Sequence, residues 1–183
     1  MLYPSSSLGQ QDRLRLFQFL WNDPNLLGVI DDPTKFGEAW QSQDAIDTTS
    51  ANHYYGCIRL PEGSVIGCGS YFSHYGNETW FSLFMPLELL GRVVPVEYPL
   101  ALEQIWMKPL DFFLSSIGAR VYQYMPFTVA VLGEDVSGAS LERIQEHLSH
   151  ASGPLVPEAM FRQKGIAPHG LRVGKDLWWT GGG

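Results

Sequence analysis

The stretch His53-Tyr54-Tyr55-Gly56-Cys57-Ile58-Arg59-Leu60, then Pro61-Glu62-Gly63, then Ser64-Val65-Ile66-Gly67-Cys68-Gly69-Ser70-Tyr71-Phe72-Ser73, decides how this chain is read. Two runs rich in β-branched and aromatic residues flank a three-residue turn signal, the pattern of a β-hairpin. A third such run, Thr79 to Met85, follows the turn residues Tyr75-Gly76-Asn77, so the whole reads as a three-stranded antiparallel meander. Pro61 supplies the φ wanted early in a type I turn, and Gly63 can adopt the left-handed conformation that completes a three-residue loop with a bulge. That register places Ile58 opposite Ile66, Gly56 opposite Cys68 and Cys57 opposite Gly67, leaving two free buried thiols. A two-residue loop at Glu62-Gly63 would instead set Cys57 across from Cys68, where a strained disulfide is possible. The first register is preferred.

Upstream, Leu14, Phe17, Leu20 and Trp21 recur at helical spacing, although Arg13-Leu14-Arg15-Leu16 also alternates as a strand would. Leu26 to Ile30 reads as a short strand between Asp23-Pro24-Asn25 and Asp31-Asp32-Pro33, and the polar residues 41 to 52 as a surface loop. Downstream, Pro86 opens a short helix, Leu87 to Leu90. Val93 to Pro99 should be extended and Leu100 to Met107 helical. A helix from Leu110 to Ile117 follows Pro109 and is closed by Gly118, its apolar face Leu110, Phe113, Leu114 and Ile117. Arg120 to Leu132 reads as the strongest strand, bulged or at an edge because of Pro126. Ser140 caps a helix that points Leu141, Ile144 and Leu148 inward, and short strands are expected at Leu155 to Phe161 and Leu171 to Trp179.

This order gives an α+β fold, with an antiparallel sheet of about five or six strands and helices mainly on one face. One domain is expected over residues 1 to 183, with flexible ends at 1 to 9 and 181 to 183. The predicted core comprises Leu16, Phe17 and Leu20, then Ile58, Ile66, Phe72, Phe81 and Leu83 of the meander, then Phe113, Ile117, Val121, Val129, Val131, Ile144 and Leu148.

Composition narrows the partners. The chain is 45% hydrophobic and carries a net charge of -7, with its twelve Lys and Arg scattered. A polyanion finds no basic stripe, so neither nucleic acid nor membrane is expected as partner, whereas a basic protein suits the sign. The absence of an apolar span or a secretory pattern at Met1 to Ser7 reads as cytoplasmic.

Several motifs fall short of a chemistry. Gly133-Glu134-Asp135-Val136-Ser137-Gly138-Ala139-Ser140 has the spacing of a phosphate-binding loop, but Ala139 stands where Lys is needed and two acids would face the phosphates. His147 and His150 share a helical face without the His spacing of zinc proteases or a third ligand. Cys57 and Cys68 lack the neighbours that would depress a thiol pKa, apart from Arg59, and Ser70 sits in no nucleophile elbow. Asn77-Glu78-Thr79 matches a glycosylation acceptor but reads as turn chemistry. No metal or cofactor is expected.

The remaining constellation is aromatic. His53-Tyr54-Tyr55 and His74-Tyr75 lie at paired strand ends, and Tyr122 and Tyr124 share a face if their segment is a strand. A pocket lined by His53, Tyr55, Tyr122 and Tyr124, with Glu134 at its rim, is therefore one expectation. The other, preferred, is a non-enzymatic interaction protein of immunity or regulatory type.

Overall fold

The computed structural model describes residues 2–4, 8–30, 53–75, 78–93, 107–132, 140–146 and 153–180. The elements are β1 (Leu2–Pro4), α1 (Gln10–Trp21), β2 (Leu26–Ile30), β3 (His53–Arg59), β4 (Val65–Tyr75), β5 (Glu78–Phe84) and α2 (Leu87–Leu90). They continue with α3 (Met107–Tyr124), β6 (Phe127–Ala130), α4 (Leu141–Glu146), β7 (Leu155–Pro157), α5 (Glu158–Gln163), β8 (Leu171–Gly174) and β9 (Leu177–Trp179). Helices and antiparallel strands together make the fold α+β. Among the described residues there are nine strands, not five or six, with β2-β3-β4-β5 neighbours in one hydrogen-bonded run and β1-β6-β7-β9-β8 in another. The excess includes β1, expected only as part of a polar tail, and the segment from Leu171 to Trp179, expected as one short strand and folded as the pair β8 and β9.

Two compact units divide these elements: Met1–Ser7, His74–Trp80 and Asp111–Gly183 form one, Leu8–Ser73 and Phe81–Leu110 the other. The chain passes between them repeatedly, so no single linker marks a boundary in the sequence.

In the second unit β3 and β4 pair antiparallel with Ile58 opposite Ile66, Gly56 opposite Cys68 and Cys57 opposite Gly67, the register expected from a three-residue loop. Gly63 adopts φ +96°, which a side chain would disfavour, and its amide donates to the Leu60 carbonyl at 2.9 Å. The Leu60 amide in turn donates to the Ser64 carbonyl at 2.8 Å, closing the hairpin.

Alternation sends Tyr54, Ile58, Ile66, Cys68, Ser70 and Phe72 to one face of this sheet, where α1 lies. Helix α1 buries Leu16, Phe17, Leu20 and Trp21, which settles its helical reading over the strand alternative. The Phe17 ring meets Tyr54, Phe72 and Phe81 at 4.3, 5.2 and 5.3 Å between centroids, and the Trp21 indole donates to Ser70 Oγ at 2.9 Å in the buried interior. The bond gives a polar partner to a donor that burial would otherwise leave costly. Past α1, Asp23 Oδ1 accepts from the amide and side chain of Asn25, and this turn delivers the chain to β2.

In the first unit the main correction concerns Arg120 to Leu132. It is not one strand: Arg120 to Tyr124 end α3, and only Phe127–Ala130 is extended. Val121 continues the stripe of Leu110, Leu114 and Ile117 at steps of four, three and four, so helical packing overrides the β preference of Val121, Tyr122 and Tyr124. Pro126 biases the residue before it away from helix and ends the run.

Gly118 does not close the helix either. A Cβ there would stand 2.4 Å from Leu155 Cδ1, so the missing side chain lets α3 lie close on β7. Leu155 and Val156 are both fully buried and, as strand neighbours, face opposite ways. Val156 joins Trp80, Val129, Met160 and Phe161 in a cluster covered by Leu141 and Ile144 of α4. Helices therefore occupy both faces of this unit's strands, where the sequence suggested mainly one.

Ser140 caps α4 as expected, its Oγ accepting from the Arg143 amide at 3.3 Å. A second contact reinforces that end: Glu78 accepts from the Leu141 amide at 3.3 Å and from the Trp80 indole at 2.9 Å. The expected strand from Leu155 to Phe161 lasts only to Pro157. Residues 158 to 163 turn into α5, which directs Met160 and Phe161 into the cluster.

Of the expected core, Leu16, Phe17, Leu20, Ile58, Ile66, Phe72, Phe81, Ile117, Val121 and Val129 are buried. Leu83, Phe113, Val131 and Ile144 are half-buried, and Leu148 lies outside the described residues.

Candidate functional site

The face of the second unit's sheet turned away from α1 carries a different chemistry. Alternation places Tyr55 and Cys57 of β3, Gly69, Tyr71 and Ser73 of β4, and Ser82 and Phe84 of β5 on it. The Phe84 ring meets Tyr71 edge-on at 5.6 Å and Tyr55 at 6.3 Å between centroids. It lies over Gly69, where an added Cβ would stand 2.5 Å from the ring. The absent side chain thus creates the seat for Phe84, whose ring both phenol rings meet. Tyr55, Tyr71 and Phe84 are each half-buried.

On this same face the polar groups are unusual. Ser82 is only 2% exposed, yet its Oγ has no hydrogen-bond partner, and the buried Oγ of Ser73 is in the same condition. A hydroxyl withdrawn from water without a partner costs roughly 1–3 kcal/mol. The opposite face offers the contrast, since Ser70 there is bonded to Trp21.

The thiols are not equipped for nucleophilic work. Both are free and buried. Burial pushes the Cys57 thiol up, and it pushes Cys68 up strongly, with the neighbouring Cys57 adding to the rise. Each is held protonated at neutral pH, the form that neither attacks nor binds metal well. The register also sends them to opposite faces, so no disulfide joins them. Among the described residues no group of three or more His, Cys, Asp or Glu is placed to hold a metal ion. No described helix is long and apolar enough to cross a membrane.

The residues expected to line a pocket divide as follows. His53 pairs with Tyr71 in the β3–β4 register, which brings its backbone beside the aromatic cluster to which Tyr55 belongs. Tyr122 and Tyr124 belong to the other unit and lie on α3, not on a strand. Two residues apart on a helix they point about 200° from one another, so they share no face. Tyr122 is half-buried against Phe127 at 5.0 Å, its phenol pKa raised by burial and then by the charge of Asp176. Tyr124 is exposed at the helix end. Glu134, the loop from Gly133 to Ala139, and His147 and His150 lie outside the described residues.

Sequence reading overlooked Tyr71, Phe84, Ser73 and Ser82. Their signal was the period of two: following Tyr55 across the register to Gly69, and from there along β4 to Tyr71, would have found the cluster.

Comparison of the chain with protein-family models, curated proteins and solved structures finds no match in any of the three.

Proposed function

We propose that this chain is a non-enzymatic interaction domain, of immunity or regulatory type, that receives a basic protein partner on the face formed by Tyr55, Tyr71 and Phe84. The observation that carries the reading is the half-buried aromatic cluster itself. Half-buried tyrosines and a phenylalanine with little rotamer freedom are the side chains that anchor interfaces. The net charge of -7 adds long-range attraction for a basic partner. Thiols kept protonated by burial support a binding role over a covalent one.

A second reading, a small-molecule-binding domain or enzyme with a Tyr- and His-lined pocket, draws on the unpartnered hydroxyls of Ser73 and Ser82 on the same sheet face. Such groups suit a ligand that brings its own hydrogen-bonding atoms.

One experiment separates the two. The native chain and its Tyr71→Ala variant are used to capture bound material from the native cell, with folding of both checked by circular dichroism. The interaction reading expects a stoichiometric basic protein, released by salt and reduced at least about tenfold by the substitution, a cost of about 1.4 kcal/mol or more. A small molecule retained by the native chain and lost from the variant would overturn it in favour of the second reading. Protein capture indifferent to Tyr71 would remove this face from the account.

A further inference from the structure

We draw no further inference here: the strongest candidate, the sheet face that carries Tyr55, Tyr71 and Phe84 with the buried hydroxyls of Ser73 and Ser82, belongs to the site already described, and nothing in the structure shows what covers it.

Discussion

The strands around Val156 and those around Tyr55 use the same antiparallel pairing toward opposite ends. In the first unit Leu155, Val156 and Pro157 are all buried, because α3 lies on one side and α4 and α5 on the other. In the second, α1 covers one side with closely packed rings, while the other side carries half-buried Tyr55, Tyr71 and Phe84 and two buried hydroxyls that have no partner. Aliphatic neighbours sealed on two sides serve stability. A layer of phenols and unpaired hydroxyls contributes less to stability.

The largest test of that contrast compares two phenylalanines. Phe161→Ala empties a fully buried site and should cost about 3–5 kcal/mol in urea unfolding. Phe84→Ala removes a half-buried ring and should cost roughly half of a full burial, about 1–2 kcal/mol. Equal losses would mean the two layers are alike and break the comparison.

Next in size is Gly118→Ala. The new methyl must displace Leu155 from a 2.4 Å approach, so a loss of about 1–3 kcal/mol is expected, with a lowered thermal midpoint. A neutral result would show that α3 can move off β7 freely.

The thiols give a pH dependence whose sign is fixed. Their folded pKa values lie above the unfolded value, so above about pH 8.5 the unfolded chain releases protons that the folded chain retains. Stability should be flat with respect to these groups below that pH and fall as pH rises beyond it, by at most about 1.4 kcal/mol per pH unit for each thiol. Urea midpoints measured from pH 8 to 10 should show the decline, and Cys68→Ala should flatten it. An unchanged slope in that variant would remove Cys68 as its source.

The finest test pairs two serines of the same sheet. Ser70→Ala deletes the 2.9 Å bond to Trp21 and should cost about 1 kcal/mol. Ser82→Ala deletes a buried hydroxyl that bonds to nothing and should leave stability unchanged or raised by up to about 1 kcal/mol. A larger loss at Ser82 than at Ser70 would reverse the assignment of the working and the unpartnered face.

The hairpin at Pro61-Glu62-Gly63 was legible to the residue, because turn chemistry and alternation pointed to one register and the structure has it. Helix α1 and the cap at Ser140 were legible for similar local reasons. The end of α3 was misread because Val121, Tyr122 and Tyr124 favour strands, and only the longer stripe from Leu110 reveals the helix that packing selects. Strand number was only partly legible: β7 and β9 lie in stretches read as short strands, but the three residues of β1 carry too little period to register, and the turn that splits Leu171 to Trp179 into β8 and β9 went unread. The candidate face was half legible: Tyr55 was named, but Tyr71 and Phe84 follow only once the ladder fixes which residues look the same way.

The ladder that sets Leu2 against Ala130 has a bearing on how the chain is made. All of the second unit's residues have been synthesised once Leu110 is added, so it can begin to assemble while translation continues. Strand β1 can pair with β6 only after the more than a hundred residues between them have been added. During that interval the side of β1 that β6 will take keeps its backbone donors and acceptors open.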